Sequence, residues 1–147
     1  FKIYLPTTPH TAVAESDPSS ASLPAGSETI LIAEDDHSIR NMVMMFLEPM
    51  GYRVMAACDG EEAIRLSNAY EGVIDVLLTD VIMPNINGQE LADQLKQSRP
   101  DMAVIFMSGY TDDVIAHHGV LEAGGNFIQK PITLTKLAYK LREVLRK

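Results

Sequence analysis

Three uninterrupted apolar runs of strand length, Ile30-Leu31-Ile32-Ala33, Val76-Leu77-Leu78 and Ala103-Val104-Ile105-Phe106-Met107, constrain this chain more than any other feature. A strand with one wet face alternates apolar and polar residues, whereas a continuous run needs cover on both faces, the condition of a parallel sheet flanked by helices. Tyr52-Arg53-Val54-Met55 alternates instead, which suits a sheet edge, and Phe127-Ile128-Gln129 supplies a short strand for the other side. Helical spacing fills the intervals. Ile39, Met42, Val43, Phe46 and Leu47 recur on one stripe after the cap candidate Asp36, and Pro49-Met50-Gly51 ends it. Asp59 caps a helix expected from Gly60 to Tyr70, Asn87 one from Gly88 to Gln97, and Thr111 one through about Ala123. Leu134, Leu137, Ala138, Leu141, Val144 and Leu145 form the last stripe, after Thr133. Five strand-helix units in about 120 residues predict an α/β fold, a doubly wound five-stranded parallel sheet with five helices.

The N-terminal part reads differently. From Thr7 to Ser27, 15 of the 21 residues are Pro, Ser, Thr or Ala, with no spacing that defines a buried face, as in a flexible linker of about 25 Å root-mean-square span. Phe1 to Pro6 alternates for one short strand and is too short to be a domain. The chain opens on Phe, not Met, which suggests a piece of a longer protein. The formal charge of −8 repels nucleic acid and anionic lipid and is compatible with a divalent cation. No apolar run approaches the ~18 residues of a membrane span, so no direct membrane contact is expected of this fragment. Cys58, the single cysteine, excludes an internal disulfide and is consistent with a reducing, cytoplasmic compartment.

Ligands of doubly wound sheets bind beyond the carboxyl ends of the strands. There the sequence places Glu34-Asp35-Asp36 after the first strand, Asp80 after the third, Ser108-Gly109 after the fourth and Lys130-Pro131 after the fifth. Carboxylates gathered within a few ångströms repel one another unless one takes a proton or a cation fills the gap. Oxygen ligands of this kind suit Mg²⁺. A lysine and a hydroxyl opposite the metal complete a cage for a phosphoryl group, with Asp80 as the nucleophile that forms an acyl phosphate.

These four motifs, Ile-Leu-Ile-Ala-Glu34-Asp35-Asp36, Leu-Leu-Thr-Asp80-Val-Ile-Met-Pro84, Phe-Met-Ser108-Gly-Tyr110 and Phe127-Ile-Gln-Lys130-Pro131, resemble the receiver domain of two-component response regulators over Glu28 to Lys147. The resemblance implies strand order 2-1-3-4-5, Asp80 as phosphoacceptor, Lys130 as phosphate-binding lysine, Ser108 as switch hydroxyl and Phe127 as switch aromatic. Its metal ligands are Asp35, Asp80, the backbone carbonyl of Ile82, and Glu34, whose longer side chain suggests contact through water. Phe127 stands where the family often has Tyr, so it can report the switch only by burial. A cis Lys130–Pro131 bond is also implied. The phosphoryl donor would be the phosphohistidine of a histidine kinase or phosphotransfer protein, and the message a surface of the fourth helix, fifth strand and fifth helix.

Ser108 to Gly124 further resembles receivers at the C-terminus of hybrid sensor histidine kinases, and Phe1 to Pro6 the closing strand of their ATP-binding domain. The expected organisation is therefore a kinase remnant at 1–6, a linker at 7–27 and a receiver at 28–147. No output domain is expected after Lys147, so the phosphorylated state would be read by a partner, by the attached kinase or by a phosphotransfer protein. The parent kinase is expected to be the enzyme; the receiver alone would catalyse only its own phosphorylation and dephosphorylation. A pseudo-receiver that binds partners without phosphorylation is the alternative reading. An aspartyl-phosphate phosphatase would need a second catalytic Asp where Ile82 stands, and a flavodoxin would need a Ser/Thr/Gly phosphate loop where the acidic triplet stands.

The remaining candidates have ordinary explanations. His117 and His118 fall mid-helix without acids at ligand spacing, so solvated positions are expected, as for His37. Cys58 has no histidine nearby in sequence for a catalytic thiol. Among the eight methionines, Met44 and Met45 are the candidates for exposure.

Overall fold

The computed structural model describes residues 23–109 and 126–146. The expected strand at 1–6, most of the linker, Tyr110, His117, His118 and the helix expected from Thr111 to Ala123 lie outside the described residues. The strands are β1 (Thr29–Ala33), β2 (Arg53–Ala57), β3 (Val76–Asp80), β4 (Ala103–Ser108) and β5 (Asn126–Gln129). The helices are α1 (His37–Leu47), continued by a 3₁₀ turn over Glu48–Met50, then α2 (Gly60–Ala69), α3 (Gly88–Ser98) and α4 (Leu134–Leu145). The five strands form one parallel sheet in the order β2-β1-β3-β4-β5. The predicted fold class holds, with β2 at one edge and the shortest strand, β5, at the other.

Alternation along each strand explains the continuous apolar runs. Leu31, Ala33, Leu77, Val104 and Phe106 face one layer, closed by Ala63 of α2 and Leu91, Ala92 and Leu95 of α3. Ile30, Ile32, Val76, Leu78, Ile105 and Met107 face the other, closed by Val43 and Leu47 of α1 and Leu137, Leu141 and Val144 of α4. Each neighbour in sequence thus enters a different core, and each fully buried aliphatic side chain contributes about 1.5–3 kcal/mol. Tyr52, expected to start β2, precedes it and is buried against the α1/α4 layer. Met45 is 73% exposed, whereas Met44, expected to be exposed with it, is partly buried against the same layer because it lies on the side of α1 that carries the fully buried Val43 and Leu47, with Met45 opposite.

The four expected caps that lie within the described residues all form, and Thr111 lies outside them. The carboxylate of Asp36 accepts from the amides of Ser38 (2.7 Å) and Ile39 (3.2 Å), that of Asp59 from Glu62 (2.7 Å), and Thr133 Oγ1 accepts from Lys136 (3.3 Å). Asn87 and Glu90 make a reciprocal capping box at the start of α3. The end of α2 is held by Arg99, whose guanidinium donates to Ser67 Oγ and to the carbonyls of Ser67, Tyr70 and Gly72 at 2.6–2.9 Å.

The last residues of the expected linker are tied to the domain. Gly26 N–H donates to the Met50 carbonyl (3.0 Å), and Ser27 N–H to Glu28 Oε2 (2.8 Å). Glu28 in turn accepts from Arg142 of α4 (2.8 Å), which also donates to the Tyr52 hydroxyl at 2.6 and 3.0 Å and lies 5.3 Å from that ring's centroid. A side chain at Gly26 would collide with Glu28, Arg142 and Tyr52 together.

Candidate functional site

Parallel strands all point the same way, so the residues that follow them meet at one edge whatever their separation in the chain. Glu34, Asp35 and Asp36 after β1, Asp80 at the end of β3, Ile82 just beyond it, Ser108 at the end of β4 and Lys130 after β5 line a single cleft of about 360 Å³. Register makes the convergence local: Asp80 lies beside Met107 across the β3/β4 ladder, and Ser108 beside Gln129 across β4/β5. The Ser108 carbonyl accepts from Lys130 N–H at 2.7 Å, and the Lys130–Pro131 bond is cis, as the resemblance implies.

The ammonium of Lys130 is the hub. It lies 2.7 Å from Asp80 Oδ2 and 2.8 Å from Glu34 Oε2, with the lysine side chain 17% exposed and that of Glu34 fully buried. Burial pulls the Lys130 pKa down, but hydrogen bonds and charge from Asp80 and Glu34 outweigh it and hold the lysine above its ordinary value. For Glu34 the balance goes the other way. Desolvation raises its pKa above the usual carboxylate value, Lys130 opposes, and the charge of Asp80 adds to the rise. Its Oε1 accepts from Asp36 N–H (3.1 Å), which fixes the carboxylate across the turn. Asp36 is exposed, and the two amides it caps hold its carboxyl below the ordinary value. It serves the helix, as the sequence suggests.

Oxygens of Glu34, Asp35 and Asp80 lie within 4.8 Å of one another, a spacing that a hydrated hard cation can bridge. Glu34 Oε2 supports the fit. It is completely buried, has no partner that meets full hydrogen-bond geometry, and faces the Lys130 ammonium at 2.8 Å. The three acids therefore suit Mg²⁺, with Asp35 exposed on the open side of the cleft. Ile82 is 44% exposed, and its N–H donates to Asp80 Oδ1 (3.2 Å), so the residue offered as a carbonyl ligand also orients the aspartate.

Ser108 is buried at the cleft wall, 4% exposed. Phe127 is outside the cleft. It is half-buried, its ring 5.6 Å from that of Phe106 and tilted by 31°, in a shallow groove that also includes the exposed Tyr139.

Two contributors carry no chemistry of their own and are easily passed over in the sequence. Gly88 is buried at the start of α3, its N–H on the Val81 carbonyl (3.0 Å), and an added Cβ would strike the Asp80 carbonyl. Arg40 reaches back from α1 to the carbonyls of Glu34 and Asp35. A cation one helical turn after the cap at Asp36 is the signal that could have found it.

Comparison with known proteins places these features in one family. The response regulator receiver domain matches residues 30–142. The sensor kinase CckA of Brucella abortus is 33% identical across the whole chain, which spans only 16% of that protein's length. The crystal structure of the receiver domain from hybrid histidine kinase CckA has a TM-score of 0.67 at 34% identity, covering 80% of this chain and 98% of that one. That of chemotaxis protein CheY4 from Vibrio cholerae reaches 0.73 at 26% identity, covering 82% and 100%.

Proposed function

Because this chain belongs to the response regulator receiver family, we propose that it accepts a phosphoryl group from a phosphohistidine onto Asp80, with Mg²⁺, and thereby switches a protein-binding surface. The observation that carries this reading is the Lys130 ammonium shared between Asp80 and Glu34 at 2.7 and 2.8 Å, with Asp35 completing the acidic trio. In the transfer, a carboxylate oxygen of Asp80 attacks phosphorus as the bond to the donor's imidazole nitrogen breaks. The imidazole leaves and the product is an acyl phosphate. Lys130 moves from the carboxylates to the phosphoryl oxygens, and Ile82 N–H keeps Asp80 aimed. Mg²⁺, held by Asp35, Asp80, the Ile82 carbonyl and Glu34, would neutralise charge on the transferring group. In that set Glu34 would reach the metal through water, since its Oε1 accepts from Asp36 N–H and its Oε2 faces the Lys130 ammonium.

The new charge would draw Ser108 and the loop after it toward the phosphoryl group and pull Phe127 inward from its half-buried place beside Phe106. The surface of β5 and α4, together with the helix expected from Thr111 to Ala123, would then present the altered state to a histidine kinase or phosphotransfer protein. Identity to a sensor kinase along the full chain supports the wider reading of a hybrid-kinase receiver at 28–147, a linker at 7–27 and a kinase remnant at 1–6. That reading places the domain in the cytoplasm, attached to no nucleic acid; among the described residues no helix is long and apolar enough to cross a membrane.

Incubation with acetyl phosphate and Mg²⁺, followed by intact-mass measurement, tests the proposal. A phosphoryl increment that disappears in Asp80→Asn is expected. Absence of the increment in the unaltered chain would favour a pseudo-receiver that binds partners without phosphorylation.

A further inference from the structure

The acidic trio needs its turn held still. Glu34 and Asp35 follow β1 directly, and their carboxylates must stay beside Asp80 despite mutual repulsion. Glu34 N–H is tied to the Ala57 carbonyl (3.2 Å) and Glu34 Oε1 to Asp36 N–H (3.1 Å), leaving the two carbonyls of the turn to be anchored from elsewhere. Arg40 does this. Its Nη1 donates to the Glu34 carbonyl at 2.6 Å and lies 3.4 Å from that of Asp35, while its own amide makes the helix bond to the Asp36 carbonyl at 2.9 Å.

Which oxygens Arg40 binds matters. Lys130 pairs with carboxylates and so engages the very groups a metal would use. Arg40 instead grips peptide carbonyls, so it brings positive charge to an acidic turn and fixes its conformation while leaving carboxylate oxygens open to a cation. A charge-assisted bond at 2.6 Å to the carbonyl of the buried Glu34 is the strong kind. We infer that Arg40 is a positioning residue for the cation site, setting Mg²⁺ affinity through the Glu34 and Asp35 carbonyls without contacting the metal. This rests on the proposed function only in taking Mg²⁺ as the occupant.

The test is Mg²⁺ titration of the full chain, without phosphodonor, followed by amide chemical shifts of Asp35 and Asp80. Arg40→Ala is expected to weaken Mg²⁺ binding about tenfold, the lower end for loss of a group that orients metal ligands. Arg40→Lys, which keeps charge and one donor, should recover most of it. Phosphorylation by acetyl phosphate should then be slow at low Mg²⁺ and approach the wild-type rate at saturation, a change in half-saturating Mg²⁺ and not in maximal rate. A merely structural role would lower the melting temperature and leave Mg²⁺ affinity within twofold of wild type, and that result would overturn the inference. So would a maximal rate that stays low at saturating Mg²⁺. If wild-type protein takes up Mg²⁺ but no phosphoryl group, and Arg40→Ala loses the Mg²⁺, the positioning role stands and the phosphoacceptor reading falls. If wild type binds no Mg²⁺, both fall.

Discussion

Lys130 Nζ lies 2.7 Å from Asp80 Oδ2 although 50 positions separate the two residues, and the same nitrogen is 2.8 Å from Glu34. One cation thus holds together two carboxylates that would otherwise repel. Lys130→Met removes it and keeps the side chain's bulk. Phosphorylation by acetyl phosphate should slow by roughly a hundredfold, as for loss of one preorganised donor to a developing charge. Urea unfolding without Mg²⁺ should show a cost of about 1–3 kcal/mol, below that of breaking a fully buried pair because the lysine is 17% exposed. Added Mg²⁺ should restore part of that stability.

The buried carboxyl of Glu34 sets a pH dependence opposite to the usual one for acids. Its folded pKa is raised above the ordinary 4.5, chiefly by burial, so over the interval just above 4.5 the folded state binds more protons than the unfolded state. Stability from this group therefore falls as pH rises through that interval and stays lower above it. Glu28, Asp36 and Glu62 are shifted downward and contribute the opposite slope, so the effect is read as a difference. In thermal melts from pH 4 to 8 without metal, Glu34→Gln should gain on wild type as pH rises. A wild-type advantage that grows with pH would contradict the assignment.

Much of this was legible in the sequence because the signals are local. Caps at Asp36, Asp59, Asn87 and Thr133 mark helix starts, and runs such as Val76-Leu77-Leu78 mark strands covered on both faces. Parallel topology then brings Glu34, Asp35, Asp80, Ser108 and Lys130 to one cleft, a consequence of direction and not of any one contact. What the sequence does not carry is partner choice. Nothing in residue type says that Glu34 is fully buried against Lys130, that Met44 turns toward the core while Met45 stays out, or that Arg40 bonds to carbonyls and not to the acids beside it. These depend on side-chain directions set by packing between elements distant in the chain.

Gly88 illustrates a close approach that excludes every other residue. A Cβ there would meet the Asp80 carbonyl, and α3 cannot retreat because Gly88 N–H is bonded to Val81 and its neighbours Leu91 and Ala92 are packed in the core. Gly88→Ala should cost about 1–3 kcal/mol in urea unfolding, the range for forced overpacking. The displaced strand end should also weaken phosphorylation of Asp80. Full stability in this variant would mean that the start of α3 can shift without consequence.

Tyr52 and Arg142 join the residues before β1 to the C-terminal helix. The tyrosine hydroxyl accepts two N–H groups of Arg142, whose Nη2 also donates to Glu28 at 2.8 Å, and Gly26 fits beneath all three side chains. Tyr52→Phe keeps the ring beneath the guanidinium but removes the acceptor, and should cost about 1 kcal/mol. Glu28→Gln should cost less, because the ion pair is partly exposed. The two changes share Arg142, so a double-mutant cycle should give a coupling energy of at least about 0.5 kcal/mol. Hydrogen exchange should show the Gly26 amide losing protection in the double variant while amides of β3 keep theirs. Strict additivity with unchanged Gly26 protection would show that the three side chains act separately and that the linker end is held by the Met50 carbonyl alone.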